Sequence, residues 1–370
     1  MPREVMRLAG HTGGGDSAYP DKDHEDAEEV DEEMHRRSLL ASAGIAVAGR
    51  PVDKLGELLE LPAPAPVPLP ARIEGVHVTQ VRNLTWRLGA TSNAGTAPEV
   101  LSAAAEWAEQ LLGVPGSEPI TRALKVAVAE LHMEAAWAGF DYCRHNRAMH
   151  HFRTALGLAT EAGDTYLQAE ALIQAGLAIR EFGHPDDGLK LLQLGLVKAW
   201  DIPADEQRAV VVGVIGRAAV EACARVEAAN ALADLGKMDA AEAEMAQARE
   251  LWSATRTDAF GDLDRPAARL ALRRGQLDVA EPLAVASVRR WEGVSLTGHT
   301  RSSIVLATVY VRAGEPSALP LAHGAITAAG KLGSARICAQ LAPLADALAA
   351  RPGRDAQNLA RMAQRWTHLR

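Results

Sequence analysis

Aromatic side chains are scarce: Phe, Tyr and Trp together make up 4% of 370 residues. With 48% hydrophobic residues and abundant alanine, the composition points to closely packed helices and away from a β-sandwich. Cysteine is nearly missing. Cys143, Cys223 and Cys338 are odd in number and far apart, which excludes a disulfide framework or a zinc spacing and makes a reducing cytoplasm the expected home. Positive charge is not in excess either, and a net charge of −8 argues against the whole chain gripping nucleic acid. The sequence contains no Gly-x-x-x-x-Gly-Lys-Ser/Thr phosphate loop, no His-Glu-x-x-His and no Gly-x-Ser-x-Gly elbow. No nucleophile, base and orienting group can be assembled from spacing alone, so neither enzymatic activity nor a cofactor is expected. His150 and His151, about 100° apart on a helix, read as surface or partly buried side chains and not as metal ligands.

What the sequence does have is a repeat. Between residues 120 and 331 one helical-hairpin pattern recurs five times. Each unit carries a small residue, a residue near the end of the first helix, a turn position that is usually Gly, and then a small, a large apolar and a second small residue. The third unit reads Ala229, Leu232, Gly236, Ala241, Met245, Ala248; the second reads Gly176, Ile179, Gly183, Gly188, Leu192, Gly195. In the first unit Cys143 stands at the turn, and in the fifth the second helix begins one residue early, at Ala318. The turn positions are 143, 183, 236, 275 and 314, so only the second interval carries an insertion. Small residues let two helices approach where they cross. Gly at the turn takes the positive φ that ends a helix. Phe152, Leu192 and Met245 are expected to fill the space between successive hairpins. No hairpin can bury its apolar stripe alone, so the stack is the folding unit.

The flanks are less regular. Residues 1–33 form a Gly-rich, then acidic tail, with nine carboxylates in the thirteen residues from Asp21 to Glu33, expected to be solvated and disordered. Residues 34–72 hold an apolar segment and a Pro-rich linker. Arg36-Arg37 before the small apolar run resembles a twin-arginine export signal, but it lies behind the acidic tract, and the run is too short to span a membrane. Helices are expected near 76–89, 97–113 and 354–368, and residues 73–370 form the repeat domain.

The order acidic linker, Arg36-Arg-x-Leu-Leu40, Pro-rich segment and helical repeats carries a family resemblance. So do Phe140-Asp-Tyr142, His150-His-Phe-Arg-Thr-Ala-Leu156, Ala159-Thr-Glu-Ala-Gly-Asp164, Ala307-Thr-Val-Tyr310, Ser334-Ala-Arg336 and the closing Arg-rich helix. Over residues 34–368 the chain resembles the C-terminal, tetratricopeptide-like region of actinobacterial regulators that begin with a Cro/repressor-type helix-turn-helix domain. The resemblance implies an all-α, tetratricopeptide-like α-solenoid of about five hairpins plus flanking helices, serving as a regulatory module for a peptide or protein partner. The family's DNA-binding helices are not in this sequence, so DNA would be reached only through a helix-turn-helix domain encoded elsewhere. A stand-alone adaptor and, further off, an exported binding protein starting at Met34 remain alternatives; a homodimer is compatible with the sequence.

On the repeat register the first helix of each hairpin lines the concave face. The inward positions are Trp137 and Phe140, then Arg180, then Asn230 and Asp234, then Arg269 and Arg273, with Ala233 and Leu272 making the groove partly apolar. Such a groove can hold an extended peptide, since Asn reads a peptide backbone through both donor and acceptor and Arg takes a carboxylate bidentately. Replacing Arg180 or Arg269 by Ala is expected to weaken binding with little loss of stability. Metal ligands are not expected.

Overall fold

The protein is seen here as a computed structural model describing residues 69–92, 98–203, 207–210, 213–255 and 262–367. The acidic tail, the Arg36-Arg37 run and most of the Pro-rich linker lie outside the described residues. Two helices, α1 (Gly75–Ser92) and α2 (Pro98–Leu111), lead into five hairpins. These are α3 (Glu118–Asp141) with α4 (His145–Ala162), α5 (Thr165–Glu181) with α6 (Pro185–Trp200), α7 (Arg217–Asp234) with α8 (Met238–Thr255), α9 (Asp264–Arg273) with α10 (Leu277–Trp291), and α11 (Leu296–Ala313) with α12 (Ala318–Leu332). Three short helices close the chain: α13 (Ala335–Ala339), α14 (Ala342–Ala350) and α15 (Arg354–Thr367). This is a tetratricopeptide-like α-solenoid. The long second interval holds an antiparallel hairpin, β1 (Gln207–Val210) with β2 (Gly213–Gly216), in which Gln207 pairs with Gly216 and Val210 with Gly213.

All five turn positions have positive φ: 55° at Cys143, 95° at Gly183, 74° at Gly236, 75° at Gly275 and 80° at Gly314. Cys143 is the one non-glycine residue in that region among the described residues. The left-handed residue lets the following backbone N–H reach back to the helix end, as when Lys237 N donates to Leu232 O at 2.9 Å.

The small residues sit where the helices cross. At Gly176 a Cβ would stand 2.8 Å from Leu192 Cγ and 2.9 Å from the Gly188 carbonyl oxygen, so α5 and α6 meet backbone to backbone there. Phe152, Leu192 and Met245 are buried, at 1%, 0% and 4% exposure. Truncating any of them to Ala would cost roughly 2–5 kcal/mol through lost contact and the cavity left behind. The core runs along the stack as a series of clusters, from one centred on α3 and α4 to one formed by α11, α12, α14 and α15.

Two buried polar networks interrupt this apolar spine. His151 is 1% exposed, not a surface side chain, because the helix turn that exposes His150 directs it into the core. Its Nε2 lies 2.9 Å from Ser102 Oγ and its Nδ1 lies 3.0 Å from Nδ1 of His132. Glu109 Oε1 approaches His132 Nε2 to 3.0 Å, although the contact lacks hydrogen-bond alignment. Burial and then the neighbouring histidines lower His132 to about 3. Burial, His150 and Arg147 lower His151 to about 4. The two rings are therefore neutral at pH 7, and one Nδ1 donates to the other.

The second network centres on Asp262, which precedes α9. Its Oδ1 accepts from the backbone N–H of Asp264 at 3.0 Å and of Arg265 at 3.1 Å, capping the helix. Its Oδ2 accepts from Trp291 Nε1 at 3.1 Å and from Ser287 Oγ.

Candidate functional site

The inner face of the solenoid lines an open cavity of about 990 Å³. Its wall comes from the C-terminal ends of α3, α5 and α7, one face each of α9 and α11, and the segment from α13 into α14. Second helices contribute only their first residues, such as His145 and Pro185. Two residues before each turn position stand Asp141, Glu181, Asp234, Arg273 and Arg312, one from each hairpin. The last four of these line the cavity.

A C-terminal latch bridges the groove to the first two hairpins. Arg336 on α13 donates through Nε to Glu181 Oε2 at 2.8 Å and through Nη1 to Asp141 Oδ1 at 3.3 Å. Its guanidinium also lies over Phe140, 4.5 Å from the ring centroid, and over Trp137 at 5.2 Å. Ser334 Oγ adds a bond to the Asp141 carbonyl at 3.4 Å. The end of the solenoid thereby closes onto its first two hairpins.

At the centre Arg180 is 6% exposed and meets three carboxylates: Asp234 at 2.9 Å, Glu181 at 3.1 Å and Glu227 at 3.3 Å. Arg273 pairs with the other oxygen of Asp234. Burial would push the Glu181 carboxyl up, but Arg336, Arg180 and Arg301 outweigh it and hold the group at about 2. Burial also works against the Asp234 carboxylate, and Arg180 and Arg273 outweigh it there too, so its pKa is lowered. In the same way the three carboxylates overcome burial at Arg180 and raise its pKa.

Farther along the wall the balance tips. Eight arginines line the cavity against two carboxylates, Glu181 and Asp234. Arg265, Arg269 and Arg273 follow each other at four-residue spacing along α9 and form one stripe. Burial, then repulsion from Arg180 and Arg273, lowers Arg269 to about 10, with Glu181 and Asp234 compensating only in part. Across from them α11 presents Arg301, Ile304, Val305, Thr308 and Arg312. Arg301 Nε donates to Gln340 Oε1 at 3.2 Å, and Arg312 Nη1 to the Leu272 carbonyl at 3.2 Å. The wall thus offers donors and positive charge beside apolar patches of Phe140, Leu272, Ile304 and Val305.

Of the seven residues expected on the concave face, Phe140, Arg180, Asp234, Arg269 and Arg273 come together around the cavity. Trp137 does not reach the wall. It is 8% exposed and packs on Phe140 with ring centroids 5.4 Å apart. Asn230 is also off the wall, in a narrow crevice beside Arg269 and Arg273, and its amide nitrogen donates to Glu227 Oε2 at 3.3 Å. That bond occupies one of the two Asn230 amide donors and holds the side chain toward Glu227. The contacts of Arg180 argue against its removal at little cost, because its loss would leave three carboxylates without their shared partner. Arg265, Arg301, Arg312, Arg336 and Gln340 escaped the repeat register. The four-residue spacing of Arg265 to Arg269 was the available signal for the first of them. No group of His, Cys, Asp and Glu side chains suited to a metal occurs among the described residues, and no described helix is long and apolar enough to cross a membrane. The Ser102–His151–His132 network places a hydroxyl beside an imidazole, but all three residues are at most 5% exposed and none lines the cavity.

An α-solenoid of helical hairpins closed around an arginine-rich cavity is the class of protein that these features define. No family model matches the sequence, and no curated protein does. Among solved structures the chain is similar to a Rap protein complexed with Competence and Sporulation Factor, at TM-score 0.52 and 11% identity, over 92% of both chains. It is also similar to BtubC (BKLC) from P. vanneervenii, at TM-score 0.46 and 16% identity, over 64% of this chain and 91% of the other. The likeness to Rap is one of helical-repeat fold.

Proposed function

We propose that this chain is a regulatory, non-enzymatic interaction module that binds a peptide or an extended protein segment inside its superhelix, as part of a cytoplasmic transcriptional regulator. The observation that carries the reading is the cavity of about 990 Å³ on the inner face, at the top of the ~300–1,000 Å³ range common for small-molecule sites. Its mixture of apolar side chains and forked donors suits a ligand with backbone carbonyls and side chains of both kinds. The Arg336 latch joins the solenoid's end to its first hairpins, so occupancy of the cavity can be transmitted to the relative position of the two ends. Rap, of similar fold, is known complexed with Competence and Sporulation Factor; the likeness is of architecture, and the reading for this chain rests on its own cavity.

The test is native mass spectrometry of the chain purified from its own cells, with and without mild denaturation. A released peptide that rebinds the refolded protein supports the reading, and a cavity that never binds peptide, native or synthetic, sinks it. The regulatory half has a separate check. Translation of the DNA upstream of Met1 should show a basic helix-turn-helix segment in frame, and an immediate in-frame stop would leave only an adaptor.

A further inference from the structure

Arg265, Arg269 and Arg273 stand one turn apart on α9, about 6 Å of rise between neighbours. Arg273 is answered by Asp234. The other two are not. Among the described residues neither the Arg265 nor the Arg269 side chain has a hydrogen bond or ion pair, and Nη1 of Arg265 is fully buried. Gln340, on the opposite wall, gives its oxygen to Arg301, while its buried Nε2 also has no partner. Each buried donor left unpaired costs on the order of 1–3 kcal/mol. Two cations held a turn apart, near Arg180 as well, add repulsion. What they lack in common is an acceptor, and for two guanidinium groups the matching acceptor is an anion with two oxygens.

We infer that the cavity takes a ligand bearing a carboxylate, received by Arg265, Arg269 and Gln340, so that the bound peptide is an acidic one or is held by its free C-terminus. This rests on the peptide reading above. The paired cluster at the centre, Arg180, Arg273 and Arg336 with Asp234, Glu181 and Glu227, balances three positive charges against three negative and contributes shape, whereas Arg265 and Arg269 contribute the charge that selects. A basic peptide would bring like charge to the stripe and be rejected.

The experiment uses fluorescence anisotropy with short fluorescein-labelled peptide pools matched in apolar content: Asp/Glu-rich, Asn/Gln-rich and Lys/Arg-rich, each with a free or an amidated C-terminus. Thermal shift with citrate runs in parallel on the same protein. The acidic or free-acid pools should bind at least tenfold tighter than the neutral amidated pool. Arg265→Gln and Arg269→Gln should abolish that preference while the unliganded melting temperature stays no lower than that of the wild type. Arg269→Lys, which keeps the charge and loses the fork, should lose part of the preference and serves if a glutamine variant folds poorly. The difference between free and amidated neutral pools tells C-terminal capture from side-chain capture. Binding of the neutral or basic pool as tightly as the acidic one, or an acidic preference that survives in both glutamine variants, overturns the carboxylate inference and leaves peptide binding standing. Citrate stabilising the wild type but neither variant, with no peptide pool bound, supports the anion site and overturns the peptide reading. No response to peptides or citrate overturns both. A lowered melting temperature in all three variants would make the arginines structural and overturn the inference as well.

Discussion

Arg336 donates to Glu181 across 155 residues of sequence, at 2.8 Å, and so joins the last helices of the solenoid to its second hairpin. Both side chains are largely removed from solvent, at 11% and 16% exposure, so the pair is not screened as a surface salt bridge would be.

Arg336→Ala should therefore destabilise the protein by about 2–4 kcal/mol, less than the full cost of breaking a buried pair because Glu181 keeps Arg180. Urea denaturation of the two single variants and the double variant with Glu181→Gln measures the coupling. A coupling below about 0.5 kcal/mol would mean that the latch adds nothing to stability.

Arg180→Ala should be the more damaging change, by about 3–5 kcal/mol, since Glu181, Glu227 and Asp234 are left close together with no shared cation. Arg180→Ala melting as high as the wild type would show that the carboxylates find other partners and that Arg180 is dispensable for stability.

The buried histidine pair predicts a pH dependence with a definite sign. His132 and His151 are lowered to about 3 and about 4, so between those values and 6.5 the unfolded chain binds protons that the folded one refuses. Their contribution is complete above about pH 6.5 and is lost as the pH falls, with at most about 4 kcal/mol gone by pH 5 for the two together. Glu181, lowered from 4.5 to about 2, stabilises fully above its ordinary value and loses that contribution progressively as the pH falls from 4.5 to about 2, below this window. Melting temperatures between pH 7 and 5 should drop steeply in the wild type and much less in His151→Gln. Equal slopes in the two proteins would remove the histidines as the cause.

How much of this was legible beforehand follows from the range of each interaction. The five hairpins and their turn positions are local features, set by residues within about one hairpin, and Cys143, at φ 55°, shows that the register held even where the glycine was missing. The second interval announced extra residues but not the β1–β2 pairing they form. Arg180 read as an exposed groove residue because Glu227 and Asp234, which bury its charge, belong to the next hairpin. The Arg336 closure spans nearly the whole repeat domain, and no periodicity encodes a contact between residues 195 apart. His132 and His151 lie on the two arms of one hairpin, but their meeting depends on rotation about both helices, which the pattern of small residues left undetermined.

Cys143 offers a check on the turn register itself. Cys143→Gly should stabilise by up to about 1 kcal/mol, the left-handed strain relieved minus the entropy glycine adds to the unfolded chain. Gly236→Ala should cost about 1 kcal/mol, because space is open around it and only the backbone objects. Opposite signs at the two positions are the expected result, and a loss at Cys143 would mean that its side chain matters more than its φ.

Asp262 links the stability of the stack to the proposed binding stripe. Its Oδ1 holds the N–H groups of Asp264 and Arg265, and its Oδ2 holds Trp291 and Ser287 of the partner helix α10. Because the helix that begins at Asp264 carries Arg265, Arg269 and Arg273, freeing its first turn should displace Arg265 first and Arg273 least. Asp262→Ala should cost about 2–4 kcal/mol, combining the loss of a cap with that of a buried acceptor for Trp291 and Ser287. Asp262→Asn keeps one acceptor and should cost less. In anisotropy titrations with the acidic peptide pool, Asp262→Ala should weaken binding at a temperature where circular dichroism shows the protein still folded. Unchanged binding under that condition would separate the cap from the stripe and leave Asp262 with a purely structural role.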